Sequence, residues 1–441
     1  MGMRICDQQG YALTGATHDA AKHLDAAVAS FNIYRGDPLA ELDSAIRSAP
    51  TFTMAHITKA FLLGLATEPA ATTAAIGEVN LLKSMPMSER EATLTQALNQ
   101  LLAGRWTDAA ITLDQHNSEY PLDIFALQVG HLIDFYRASA RSLRDRVARV
   151  LPHWSPSVPG YPIVLGMYAF GLEEAGDYAQ AEDMGRRAVE LQPLDCWAHH
   201  AVAHVYEMQG RPEYGVIWMA QNEQNWSGEN NFFQGHNWWH CAVYLISLGE
   251  YEQALRLYDT HIGAAKSPVA LDLVDAAAML WRLALVGVDG GHRWGPVADR
   301  WDPHVDGHSY SFNDWHAVMA NLGAGRYDRA NEILQWLRQA STQTDEPAEW
   351  VRRYGLPLSE GFIDFWHGNY DAAVQKLYAA RSIVNGFGGS HAQRDIIDLT
   401  LLEAAIRGGK HHLAGALQNE RTALRPNVPI RVRRGDAVLA A

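Results

Sequence analysis

The chain has 441 residues, 48% of them hydrophobic and 20% charged, and carries a net charge of −14. That balance argues against a nucleic-acid partner, which needs concentrated Lys and Arg, and against docking on anionic lipid. Three cysteines (Cys6, Cys196 and Cys241) are too few for a disulfide framework, so reduced thiols and a cytoplasmic location are expected. The N-terminus lacks the apolar stretch of a secretory signal, and no apolar run is long enough for a membrane span.

Helical periodicity runs through nearly the whole chain, and alternating β-branched runs are almost absent. Near the N-terminus, Asp37 to Ala66 reads as a helix, a Pro-broken turn and a second helix. Thr17 and Ser88 precede apolar periodic runs and read as helix N-caps, and Glu91 stands where a capping box with Ser88 requires it. Pro152 to Pro162 is a turn between hairpins, because helical patterning resumes at once. Trp294 to Asp314 is the longest segment expected to be irregular, and the tail from Pro426 loses helical periodicity and is expected to be extended or disordered.

Punctuation marks a repeat. A glycine followed two residues later by an aromatic, then by an Ala-rich amphipathic run, recurs at Gly104, Gly176, Gly249, Gly325 and Gly368, with a variant at Gly210. From Gly176 the successive spacings are 34, 39, 76 and 43, and the midpoint of the 76 falls at Gly287. These periods fit a tetratricopeptide-type helix–turn–helix unit, in which glycine ends the first helix. The expected fold is therefore all-α, a tetratricopeptide-like superhelix continuous over residues 1–425. Residues 1–160 form degenerate N-terminal hairpins, 161–425 hold the well-marked repeats, and 426–441 are the tail. In such an array the first helices of successive units line the concave face.

Polar residues recur in those first helices. Counted back from the repeat glycines, His200, His204 and Glu207 lie 10, 6 and 3 residues before Gly210, and His236 and His240 lie 13 and 9 before Gly249. Asp314 and His316 lie 11 and 9 before Gly325, and Arg394 and Asp395 lie 14 and 13 before Gly408. His200/His204 and His236/His240 are spaced i, i+4, which places each pair on one helix face.

Three chemistries fit this set. Two imidazoles and a carboxylate can ligate zinc or iron, with His200, His204, Glu207, His236 and His240 as candidate ligands to a divalent metal. Alternatively, histidines oriented by Glu207, Asp314 or Asp395 can act as acid/base groups without metal, with Arg394 stabilising a developing anion. Trp197, Trp238, Trp239 and Trp315 would then wall a pocket for an apolar or aromatic molecule. The third reading is purely structural, buried imidazoles satisfying one another between helices, but several buried titratable groups carry a desolvation cost that packing alone does not require. Cys196 and Cys241 read as small buried hydrophobes rather than nucleophiles. Ser390, in GGSHAQRD, reads as a helix N-cap.

The stretches HAVAHVYEMQG (His200 to Gly210), HNWWHCAVYLISLGEYEQALRLYDTHI, LDLVDAAAMLWRLALVGVDGGHRW, FNDWHAVMANLGAG and GSHAQRD resemble the tetratricopeptide repeat protein 38 family, over about Gly166 to Ile406. The resemblance implies an all-helical repeat fold and no settled reaction. It also implies that the characteristic polar residues are His200, His204, Glu207, His236, Asn237, His240, Asn313, Asp314, His316, Gln393, Arg394 and Asp395, with His391 a departure from the family pattern. The leading expectation is a hydrolase-type enzyme acting on a small, partly apolar or aromatic molecule by acid/base or metal-assisted chemistry. Catalysis would rest on His200, His204, Glu207, His240, Asp314, His316, Arg394 and Asp395, and substrate binding on His236, Asn237, Trp238, Trp239, Asn313, Trp315 and Gln393. A peptide-binding scaffold is the alternative, and a haem or non-haem metal oxygenase-like protein a further one, although no CxxCH attachment motif is present. Assembly into a homo-oligomer is compatible with all three.

Overall fold

A computed structural model of the chain describes residues 5–263, 267–381, 386–425, 428, 431–434 and 437–440. The helices, in order, are α1 (His18–Ile33), α2 (Pro38–Ser48), α3 (Thr53–Gly64), α4 (Pro69–Leu82), α5 (Glu89–Leu102), α6 (Trp106–Glu119), α7 (Ile124–Tyr136), α8 (Ala140–Val150), α9 (Tyr161–Glu174), α10 (Tyr178–Leu191), α11 (Cys196–Met208) and α12 (Pro212–Trp226). They continue as α13 (Gln234–Leu248), α14 (Tyr251–Leu257), α15 (Ala270–Leu285), α16 (Trp294–Trp301), α17 (Ser311–Gly323), α18 (Tyr327–Ala340), α19 (Glu346–Trp350), α20 (Leu356–Trp366), α21 (Tyr370–Arg381), α22 (His391–Arg407) and α23 (His411–Leu424). Short π-helical turns follow α14 at Tyr258–Ile262 and α19 at Val351–Gly355. In the tail, strands β1 (Arg431–Arg434) and β2 (Ala437–Ala440) pair antiparallel.

The caps that the sequence marks are formed. Thr17 accepts from Ala20 N, and both Ser88 with Glu91 and Ser390 with Gln393 close capping boxes. The repeat glycines share one geometry. Gly104, Gly176, Gly210, Gly249, Gly287, Gly325, Gly368 and Gly409 all have φ between 63° and 87°, the left-handed region that an L side chain resists. At each, the glycine N–H donates three residues back and the next N–H five residues back, as in Gly176 N to Glu173 O (2.9 Å) and Asp177 N to Leu172 O (2.8 Å). This is the Schellman motif, closing a first helix so that the second can fold back on it. The pairs α5/α6, α9/α10, α17/α18, α20/α21 and α22/α23 pack in this way. The fold is all-α and built of tetratricopeptide-like hairpins.

Two details depart from the sequence expectation. In the last motif the left-handed residue is Gly409, not Gly408, whose φ is −82° and which serves as the C-cap of α22. Counted from Gly409, Asp395 lies 14 residues back, so it does not share the register of His236. The segment expected to be irregular, Trp294 to Asp314, is largely ordered as α16, a 3-10 turn at Asp302–His304 and the start of α17. Buried Trp294, Val297, Ala298 and Trp301 give α16 an apolar face that compensates for its shortness.

The chain falls into two compact units, residues 1–202 with 224–234 and residues 203–223 with 235–441. The core of the first includes Ile124, Leu127, Val147, Val150, Trp154, Val164 and Met167, contributed mainly by α7, α8 and α9. The second buries the tryptophans Trp239, Trp281, Trp301 and Trp315. No helix among the described residues is long and apolar enough to cross a membrane.

Candidate metal centre

In the second unit, α13 carries His236 and His240 one turn apart, and the C-terminal part of α11 carries His204. Tyr244, one turn after His240, donates its hydroxyl to Ala203 O at 2.5 Å, which fixes α13 beside His204. Gly215 of α12 lies so close to the Tyr244 ring that an added Cβ would stand 2.3 Å from it, so only glycine allows that approach. The ring centroids of His204 and His240 are 4.6 Å apart, and those of His236 and His240 are 4.9 Å apart. One ring nitrogen from each of the three lies within 4.8 Å of the others.

The trio is packed among aromatic rings. His204 and His240 are fully buried, and Trp239 stacks on His236 with ring planes 12° apart while meeting His240 edge-on. His236 donates from Nδ1 to Asp275 of α15 at 2.8 Å, which sets the tautomer of the ring with its lone pair on Nε2. Burial, reinforced by His204, His236 and Arg282, holds His240 well below the ordinary imidazole range. A neutral imidazole is the form that ligates a metal, and three of them converging within ligand reach suit zinc or iron.

His200 belongs to the first unit, where it stacks on Phe170 and packs against Trp197 and Phe233. Glu207 accepts from Arg425 at 2.8 Å. Asp395 accepts from Arg421 at 2.6 Å, with Arg425 at 3.4 Å and Arg282 at 3.5 Å, and although burial works the other way these cations hold it far below the usual carboxylate range. Glu207, Asp395 and the three arginines border a cavity of about 90 Å³. Arg394 donates to the carbonyls of Gly388 and Gly389, and Gln393 Oε1 accepts from Ser390 N, so both hold the turn that opens α22.

On α17, Asp314 accepts from Gly307 N at 3.0 Å, and burial pushes its carboxyl well above the usual range. His316 donates from Nδ1 to Phe312 O at 2.7 Å, and burial brings it down to about 3 in spite of that bond. Asn313 and Asn237 are buried, Trp238 stacks on His261 at 4.0 Å, and Trp315 packs against Phe312 and Phe387. Trp197 lies in the first unit against Tyr34 and Phe170. Burial pushes the Cys196 thiol up to about 12 and raises Cys241 as well, so neither is a ready nucleophile.

Asp275 and Arg282, both on α15, are absent from the sequence-based candidates. Their signal was compositional, since only Asp272, Asp275 and Arg282 are charged in α15, and the last two are seven apart, which places them on one face. Arg282 donates to Ala392 O at 2.7 Å and lies over the Trp239 ring, so it ties α15 to the start of α22.

No family model matches the chain. Among solved structures it is similar to the human IFIT1 dimer with PPP-AAAA, at 12% identity and a TM-score of 0.42 over 94% of this chain and 92% of that one. It is also similar to the TPR domain of P58(IPK), at 14% identity and a TM-score of 0.19 over 89% of this chain and 99% of that one.

Proposed function

We propose that the chain is a tetratricopeptide-like enzyme that holds a divalent transition-metal ion, zinc or iron, on His204, His236 and His240 and uses it to hydrolyse a small, partly apolar or aromatic molecule. The observation that carries this reading is the trio itself: three buried imidazoles within ligand reach of one another, one oriented by Asp275. A bound ion would supply Lewis acidity and lower the pKa of a water held on it. Asp275 would fix the tautomer of His236, the ring of Trp239 would exclude bulk water, and burial, aided by Arg282, would keep His240 neutral. The family reading, tetratricopeptide repeat protein 38, is proposed on the sequence motifs.

A second reading, a protein-binding scaffold, draws on a different observation. Helix α12 exposes Tyr214 and Ile217, three residues apart on one face, with Arg211 stacked over Tyr214. In that reading the imidazoles are structural.

The discriminating experiment is a panel of aromatic and aliphatic esters, amides and phosphate esters assayed with the full chain, metal-loaded and metal-stripped. Turnover that needs the metal and is lost in a folded His240→Ala variant is expected. A chain that turns over nothing in either state, with or without the variant, contradicts the enzyme reading.

A further inference from the structure

The first unit contains a cavity of about 180 Å³ that the histidine chemistry does not use. On α1 its wall is formed by Asp25, Val28, Ala29 and Asn32, spaced i, i+3, i+4 and i+7 and therefore on one helix face. Polarity is arranged at the two ends of this face. Asp25 is partly exposed and accepts from Gln8 N at 3.3 Å. Asn32 is only 6% exposed, and its Oδ1 accepts no hydrogen bond among the described residues. A buried carbonyl oxygen without a donor carries a desolvation cost that a ligand N–H or O–H would remove. Seven residues of helix separate the two groups by about 10 Å along the axis. The lining also includes the apolar side chains of Val28, Met54 and Phe125.

The charge is one-sided. Arg90 donates to Asp123 at 2.6 Å and to Asp7 at 2.8 Å, so one guanidinium is shared by two lining carboxylates, and Asp25 adds a third. Anionic ligands are disfavoured by that excess. A single metal ion is disfavoured too, because Asp25 and Asn32 are two helical turns apart and cannot close on one cation at the ~2.3–2.6 Å that calcium requires.

We propose that this cavity binds a small, elongated alkylammonium ligand, its charged end at Asp25 and a second hydrogen-bond donor at Asn32. An α,ω-diamine is the simplest member of the class. The methylene chain lies along Val28, where apolar burial adds to the two polar anchors.

Isothermal titration of the full chain with putrescine, cadaverine, n-pentylamine and n-pentanol tests this. Diamine binding is expected, with pentylamine about tenfold weaker for lack of the second donor and pentanol weaker still. Asp25→Asn, a change at the cavity mouth, is expected to weaken every amine about tenfold or more. Asn32→Leu is expected to remove the preference for diamine over monoamine. If that variant does not fold, the Asp25→Asn comparison decides alone. Failure of all amines to bind, or binding unchanged within about twofold in Asp25→Asn, overturns the proposal.

Discussion

His236 and Asp275 are joined by a 2.8 Å hydrogen bond between an imidazole Nδ1 and a carboxylate that is only 2% exposed. The carboxylate can only accept, so the ring carries its proton on Nδ1 and its lone pair on Nε2. Asp275→Asn keeps the size and removes the charge that raises the basicity of His236. Metal affinity, measured by competition with a chelating dye, is expected to fall by roughly 10–100-fold with the fold retained. Unchanged affinity would mean that His236 is not a ligand.

Buried neutral histidines set the acid limb of stability. Burial brings His131 and His316 down to about 3 and His199 to about 4, whereas the unfolded chain protonates near the ordinary 6.5. The unfolded state therefore binds protons first as pH falls, and stability declines from about pH 6.5 downward. At pH 5 each such histidine is expected to cost roughly 2 kcal/mol. Urea unfolding at pH 7.5 and 5.0 reads the loss, and His316→Gln, which cannot titrate, should flatten it in proportion.

Asp195 acts with the opposite sign. It is fully buried at the start of α11, accepts from Trp197 N and Ala198 N, and burial pushes its carboxyl up to about 7 in spite of those bonds. A raised folded value means that the native state holds the proton longer, so this contribution is lost as pH rises from about 4 to 7. Asp195→Asn retains the acceptor and is expected to be more stable than the parent at pH 8, by up to roughly 4 kcal/mol on the linkage relation. Equal stability of the two at pH 8 would refute the assignment.

Arg425 separates the ion-pair network from the imidazoles. Its guanidinium serves buried Glu207 and half-buried Asp395, and truncation leaves both carboxylates with fewer cations. Arg425→Ala is expected to destabilise the chain by roughly 3 kcal/mol while leaving metal content unchanged. Metal loss in this variant would return Glu207 to the ligand set.

Local chemistry was legible in the sequence, and pairing across the chain was not. Gly176 and Gly249 announced their turns because only glycine takes φ near 80° without strain, and Thr17, Ser88 and Ser390 announced their helices because a cap acts within three residues. His236 and Asp275 are 39 residues apart and Glu207 and Arg425 are 218 apart, and no local pattern encodes such partners. Counting from Gly408 instead of Gly409 then misaligned Asp395 by one residue, enough in a helix to turn a side chain by about 100°. The histidines were visible as a crowd from their i, i+4 spacing, whereas their partners from other helices were not.

Elemental analysis of the full chain, purified without chelator and compared with a folded His240→Ala variant, tests the metal centre most directly. About one equivalent of zinc or iron per parent chain, lost in the variant, is the expected result. A parent chain that stays metal-free after incubation with excess zinc and ferrous ion contradicts it.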